Sequence, residues 1–139
     1  METGKNIAII HKDKGVVETL ALMAQTLGYI PHTMIVNKAT TPQQVASFVA
    51  QVDPDLVLLA ENYQYGQFVP DPQSRGEKIG EGIEALAEIK RSGHSKPIHM
   101  VSGGTLYHKR AKQEGASGYL QIPVTYEEFR QFLKTSTQS

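Results

Sequence analysis

The sequence contains no cysteine among its 139 residues. That absence excludes disulfide bonds, thiolate zinc sites and cysteine nucleophiles. No apolar run approaches the roughly 20 residues that a membrane-spanning helix needs, so we expect no membrane association. The N-terminus lacks the ordered basic, apolar and small-residue regions of a secretory signal, which predicts a cytoplasmic protein.

The chain also has no excess of charge, because 14 Lys and Arg residues balance 14 Asp and Glu residues. Proteins that bind nucleic acid usually have a basic excess, so we expect no direct binding of nucleic acid. Hydrophobic residues make up 40% of the chain and charged residues 20%, which is typical of a globular domain. The length fits one domain, which we place at residues 1–135, followed by a disordered tail at 136–139.

Short apolar runs alternate along the chain with longer segments of helical period. Strands are predicted at 7–10, 34–36, 56–60, 98–101 and 118–121. Each is followed by a helical pattern, and two of these helices begin with the capping residues Thr41 and Thr125. The alternation predicts a three-layer α/β fold, in which helices cover both faces of a doubly wound, five-stranded parallel sheet.

In an open α/β sheet, ligands bind beyond the carboxyl ends of the strands. The residues that follow the first, third, fourth and fifth strands are therefore the candidates for a site. They are His11, Lys12, Asp13, Ala60, Glu61, Ser102 and Ile122. No two histidines have the spacing of metal ligands, and Ser102 has no evident base, so we expect no metal ion, no cofactor and no enzyme activity.

Several segments, taken in order, resemble the receiver domains of two-component response regulators. They are residues 26–29 (TLGY), 54–59 (PDLVLL), 82–86 (GIEAL), 97–102 (PIHMVS) and 114–120 (EGASGYL), followed by Pro123. Their order and spacing extend over nearly the whole chain. The resemblance implies a flavodoxin-like sheet with strand order 2-1-3-4-5 and a role in phosphorelay signal transduction.

The sequence departs from that family at the positions of its chemistry. The resemblance places the phosphate-accepting aspartate at Ala60, and a methyl group is not a nucleophile. The acidic pair that binds magnesium corresponds to His11 and Lys12, where an ammonium group would repel the cation. The lysine that contacts the phosphoryl group corresponds to Ile122, which has no charge. Phosphorylation at the usual place is therefore excluded.

Two positions that act as a switch in the family are retained, with a hydroxyl group at Ser102 and an aromatic ring at Tyr119. The combination predicts a pseudo-receiver. We expect it to act as a protein-interaction or adaptor module, in a conformation that phosphate does not control.

Two carboxylates lie next to the altered positions. Glu61 follows Ala60 directly, and a shift of one residue along a strand turns a side chain to the opposite face, so we expect Glu61 to face the opposite side of the sheet from Ala60. A salt bridge to Lys12 from Asp13 or Glu61 is the simplest prediction, although Asp13 is also a weak candidate for holding a cation.

A partner surface is suggested by charges on both sides of the fifth strand. The charged residues are Lys109, Arg110, Lys112, Glu127, Glu128 and Arg130. In receivers, helix four, strand five and helix five commonly mediate dimerisation or partner docking, which implies a protein partner or a homodimer here. A solvated surface of mixed charge explains the pattern equally well.

The segment 62–80 is longer than the corresponding loop of receivers and contains three aromatic residues. Such a loop is either a lid or binding loop or a mobile surface insertion. The alternative to an adaptor is therefore a small-molecule or anion sensor, in which this loop closes over the crevice. A flavodoxin-like enzyme is the least supported reading.

Overall fold

The structure is a computed structural model that describes residues 4–37, 39–61, 81–103 and 108–137. Five strands and five helices lie within these ranges. The strands are β1 (Asn6–His11), β2 (Ile30–Ile35), β3 (Leu56–Ala60), β4 (Ile98–Ser102) and β5 (Gly118–Gln121). The helices are α1 (Lys14–Thr26), α2 (Pro42–Val52), α3 (Glu81–Arg91), α4 (His108–Gln113) and α5 (Tyr126–Ser136). The predicted loop 62–80 falls outside the described residues.

The five strands form one parallel sheet in the order β2-β1-β3-β4-β5, which confirms the predicted fold. β3 is central, with Leu59 paired to Ile10 of β1 and Ala60 paired to Val101 of β4. Because the strands are parallel and in this register, the carboxyl ends of β1, β3 and β4 meet at one edge of the sheet.

Alternate residues of the central strands build two separate apolar layers. Ala8 and Ile10 of β1 belong to a layer that includes residues of α2, α3 and α4. Ile7 and Ile9 belong to a layer that includes residues of α1 and α5. Full burial of both sets explains why these strands appear in the sequence as continuous apolar runs.

Three helices begin with side chains that satisfy their first backbone N–H groups. The Thr41 and Thr125 hydroxyls accept hydrogen bonds from Gln44 N and Glu128 N, both at 3.1 Å. The side chains of Gln44 and Glu128 accept in return from the capping residues, so both sequence-predicted helix starts are confirmed. Asp13 caps α1 in a similar way, through Gly15 N at 2.8 Å.

Several boundaries differ from the prediction, and two of the differences have a clear structural basis. β2 begins at Ile30 rather than Met34, because a proline in an edge strand can leave its missing N–H on the unpaired side, and Pro31 stands opposite Ile7 in the ladder. α5 continues to Ser136, one residue into the segment predicted as a tail, and Leu133 O accepts from Thr137 N at 3.0 Å. Among the described residues, no helix has the length and apolar character that crossing a bilayer requires.

Candidate functional site

The candidate site lies at the carboxyl edge of the sheet, where the structure brings His11, Ala60, Glu61 and Ser102 together. These residues end or follow the three adjacent strands β1, β3 and β4. Three of their side chains are polar, and two of these, His11 and Glu61, are buried. Buried polar side chains need partners, so the hydrogen bonds at this edge decide what the site can do.

Ala60 is 1% exposed and is buried in the apolar core at the end of β3. Gly82 of α3 packs directly against the Ala60 peptide group, since a Cβ atom at Gly82 would lie 1.7 Å from Ala60 O. Nothing in the sequence pattern marked Gly82 as a contact of the site. The end of β3 is therefore sealed by backbone packing, and its methyl group offers no phosphoryl acceptor.

His11 is 5% exposed, and its Nδ1 accepts a hydrogen bond from Asp13 N at 3.0 Å. An imidazole whose Nδ1 is an acceptor is neutral, with its proton on Nε2. Burial, together with the neighbouring Lys12 charge, lowers the pKa of His11 to about 4. His11 is therefore a neutral structural group near neutral pH.

Lys12 carries the positive charge that the sequence placed in the crevice. Burial lowers the pKa of Lys12, whereas the carboxylates of Asp13 and Glu81 oppose that shift. Glu81 is buried at the start of α3, where no sequence pattern predicted a buried acid. The carboxylates that raise the pKa of Lys12 are thus those of Asp13 and Glu81, and the predicted salt bridge to Asp13 or Glu61 stays a prediction.

These side chains do not fit the magnesium ion that a receiver fold implies. Magnesium requires hard oxygen ligands in an octahedral arrangement. The two positions of the family's acidic pair hold the neutral imidazole of His11 and the ammonium group of Lys12. The nearest carboxylate in sequence, Asp13, already accepts two hydrogen bonds from the first turn of α1. The side chains at the positions of the acidic pair therefore oppose a divalent cation.

Glu61 faces away from Ala60, as the one-residue shift predicts, and it lies beside Ser102. Ala60 pairs with Val101, so Glu61 is level with Ser102, and level residues of adjacent parallel strands share a face. Glu61 is 3% exposed, and the Ser102 hydroxyl hydrogen-bonds its carboxyl group. The one-residue shift does turn Glu61 away from the face of Ala60, but Ser102 is on the face to which Glu61 turns.

The Glu61 carboxyl group is only partly satisfied. Among the described residues, its Oε2 atom is buried without a hydrogen-bond partner. Burial raises the pKa of Glu61 to about 7, although the Ser102 hydrogen bond acts in the opposite direction. This carboxyl group can therefore gain or lose a proton close to neutral pH.

Tyr119 continues the polar contacts from β4 to β5 and α4. Its hydroxyl group donates to the backbone carbonyl of His108, and its ring stacks on the His108 imidazole with centroids 3.8 Å apart. Burial and then the Glu61 charge raise the pKa of Tyr119 above its ordinary value. Ser102 and Tyr119, the two positions to which the resemblance assigns a switch, thus both interact with Glu61.

Ile122 lies on the other side of the sheet from these groups. Its side chain packs against the apolar layer under α1 and α5 and lines a cavity of about 380 Å³ together with Asp13, Val16 and Pro123. An apolar side chain in that layer is stabilised by burial, and it supplies no charge to the carboxyl edge of the sheet.

The six charged residues of the predicted partner surface lie on α4 and α5. Three of them pair with residues close in sequence: Arg130 Nε donates to Glu127 at 3.1 Å, and Arg110 lies 3.8 Å from Glu114, which directly follows α4. Glu128 belongs to the capping box of α5, whereas Lys109 and Lys112 are exposed. The charges are compatible with a docking surface and equally with a solvated face.

No protein-family model and no curated protein sequence matches this chain. Solved structures are similar to it at low sequence identity. The chain matches NtrX from Brucella abortus with a TM-score of 0.74 and 16% identity, over 97% of this chain and 27% of NtrX, so it spans about a quarter of that protein. The chemotaxis protein CheY4 from Vibrio cholerae matches with a TM-score of 0.73 and 16% identity, over 96% of this chain and 99% of CheY4.

A third structure is the receiver domain of the sensor histidine kinase PA1611 from Pseudomonas aeruginosa PAO1. It matches with a TM-score of 0.73 and 18% identity, over 99% of this chain and 100% of that domain. That receiver has a magnesium ion coordinated in its active-site cleft. Likeness at these identities establishes architecture rather than activity. The strand order, the parallel register and these three matches together show that the chain has the fold of a response regulator receiver domain.

Proposed function

We propose that this chain is a cytoplasmic receiver-like module of two-component signal transduction that binds a protein partner or a second copy of itself without accepting a phosphoryl group. The observation that carries the proposal is the end of β3, where the buried methyl group of Ala60 occupies the acceptor position that the family resemblance assigns. Neutral His11 and cationic Lys12 stand in place of the acidic pair. Among the described residues, these positions therefore supply neither the family's nucleophile nor the oxygen ligands of its cation.

The alternative of an anion sensor has less support than the adaptor. Glu61 places a carboxyl group beside Ser102, and an ionised carboxylate repels an incoming anion. Ala60, at the centre of the predicted crevice, is 1% exposed, and its carbonyl oxygen lies against Gly82 of α3, so the described residues leave its methyl group little room for a ligand. The 62–80 loop, on which a sensor would also depend, lies outside the described residues.

The proposal is tested by incubating the chain with acetyl phosphate and magnesium and then measuring its intact mass. We expect no added phosphoryl group, because each described carboxylate at the site is restrained or buried. Asp13 caps α1, Glu61 is hydrogen-bonded by Ser102, and Glu81 is buried at the start of α3. A phosphoryl group mapped by peptide mass spectrometry to any carboxylate of this edge would overturn the proposal. A phosphorylatable receiver in the same reaction is the positive control.

A further inference from the structure

Glu61 combines three features that a surface acid lacks. It is 3% exposed, and its carboxyl group is hydrogen-bonded by Ser102. Within the described part of the chain, its Oε2 atom has no hydrogen-bond partner. An unpaired buried oxygen costs about 1–3 kcal/mol, and the cost is greater for a charged group. The fold therefore maintains an unfavourable group next to the two positions at which receivers switch.

We propose that the charge on Glu61 takes the place of a phosphoryl charge as the input to Ser102 and Tyr119. The inference rests on the proposed function, because it names the regulation of the same site. When Glu61 is ionised, the Ser102 hydroxyl donates its hydrogen bond to the carboxylate and is held toward β3. When Glu61 takes up a proton, its carboxyl group becomes a weaker acceptor, and the hold on Ser102 is released.

The contacts of Tyr119 give this change a route to the surface. The Tyr119 ring stacks on His108 and its hydroxyl group bonds the His108 carbonyl, so β5 and α4 are joined at this point. α4 also carries Lys109 and Lys112, which belong to the proposed docking surface. A change in charge at Glu61 is therefore transmitted to the start of the helix that a partner would contact.

Other titratable groups surround the site on every neighbouring element. They are His11 and Lys12 on β1 and its end, Asp13 before α1, Glu81 on α3, His108 on α4 and Tyr119 on β5. Burial holds the pKa of His11 at about 4 and raises that of Tyr119, so neither changes charge near pH 7. Burial raises the pKa of Glu61 to about 7, which makes it the group expected to respond there.

The experiment is an NMR titration of the whole chain, labelled with ¹³C and ¹⁵N, from about pH 5 to about pH 9. It follows the carboxyl carbon of Glu61 and the backbone amides of Ser102 and Tyr119. We expect the three signals to share one midpoint near 7. In Glu61→Gln, which keeps the shape and removes the charge, the two amide signals are expected to lose that midpoint.

Two further variants keep the result decisive. Ser102→Ala is expected to move the Glu61 midpoint upward, because the lost hydrogen bond favoured the ionised form. His108→Gln is expected to leave the Glu61 midpoint unchanged. This variant distinguishes titration of Glu61 from titration of the imidazole that stacks on Tyr119. Amide signals that do not titrate, or that titrate equally in Glu61→Gln, would overturn the inference.

The two proposals fail separately. If the amide signals do not titrate and no phosphoryl group is added, the proposed role of Glu61 is refuted, whereas the proposed phosphate-independent module is not. Phosphoryl uptake on a carboxylate of this edge would remove the proposed function, whatever the titration shows.

Discussion

The hydroxyl group of Ser102 hydrogen-bonds the buried carboxyl group of Glu61, so the carboxyl edge of the sheet does contain an acid, one residue beyond the end of β3. That acid lies on the opposite strand face from Ala60 and on the same face as Ser102. The site thus has a methyl group at the position that the resemblance assigns to the acceptor, and beside it a carboxyl group whose charge depends on protonation.

The first prediction concerns stability at alkaline pH. Glu61→Gln is expected to stabilise the protein at pH 8 by about 1–2 kcal/mol, because it removes a buried charge and keeps a hydrogen-bonding side chain beside Ser102. The free energy of unfolding from urea titrations checks this. Glu88→Gln on α3, a position that is not part of the site, is the matched control. A loss of stability in Glu61→Gln at pH 8 would show that the charge is favourable where it lies.

The second prediction concerns the dependence of stability on pH. The raised pKa of Glu61, about 7 against 4.5, means that the folded chain binds this proton more tightly, so its contribution makes stability fall from about pH 4.5 to about pH 7. The lowered pKa of His11, about 4 against 6.5, has the opposite sign and makes stability rise from about pH 4 to about pH 6.5. The two slopes oppose each other where these windows overlap.

Variants separate the two slopes. Relative to wild type, Glu61→Gln is expected to gain stability as pH rises through the Glu61 window. His11→Asn, whose amide oxygen can still accept from Asp13 N, is expected to lose stability as pH rises through the His11 window. Each difference is at most about 1.4 kcal/mol per pH unit, the value for one proton. Equal pH profiles for wild type and both variants would contradict the assigned shifts.

The third prediction concerns magnesium. We expect millimolar magnesium to leave the melting temperature of wild type unchanged, because neutral His11 and cationic Lys12 provide no hard oxygen ligands. The variant in which both residues become aspartate is the control, and its melting temperature is expected to rise with magnesium. A stabilisation of wild type by several degrees would mean that other oxygen ligands bind the cation.

The fourth prediction concerns the seal over β3. Gly82→Ala is expected to destabilise the protein by about 2–4 kcal/mol, because the new methyl group would lie 1.7 Å from Ala60 O and would force α3 away from β3. Gly103→Ala is the control, since its nearest described heavy atom would be 3.9 Å away. Thermal unfolding of both variants checks the difference. Equal melting temperatures would show that α3 does not press on the end of β3.

The fifth prediction concerns the docking surface. If the chain pairs with itself through α4, β5 and α5, replacing Lys109 and Lys112 by glutamate is expected to weaken the dimer by tenfold or more, and adding Glu127→Lys is expected to restore part of it. Sedimentation at several protein concentrations measures the dissociation constant, with Lys14→Glu on α1 as the control. A wild-type chain that stays monomeric would contradict the homodimer, and a different protein would then be the expected partner.

The sequence was sufficient for the sheet and for the helix starts. Residues 56–60 are five consecutive apolar residues, as expected of a strand that is buried on both faces of the sheet. The Thr125 capping box was identifiable from its residue types alone. These are local properties. They predict which segments form helices and strands, and the family resemblance added the order of the strands.

The geometry of the site could not be predicted in the same way. Whether Glu61 faces Ser102 depends on the register between β3 and β4, and a uniformly apolar run contains no alternation from which a register can be inferred. Gly82 and buried Glu81 became part of the site through the packing of α3, which is a tertiary contact. Edge strand β2 was predicted to begin too late, because a proline such as Pro31 usually indicates that a strand is interrupted.

The central claim is that four positions at the sheet edge account for the loss of phosphoryl acceptance. The direct test compares wild type with a variant that restores the family's residues, in which His11, Lys12 and Ala60 become aspartate and Ile122 becomes lysine. Both are incubated with acetyl phosphate and magnesium, and the intact masses are measured. The account predicts one added phosphoryl group at position 60 of the variant and none on wild type. Equal phosphoryl uptake by the two chains would contradict it.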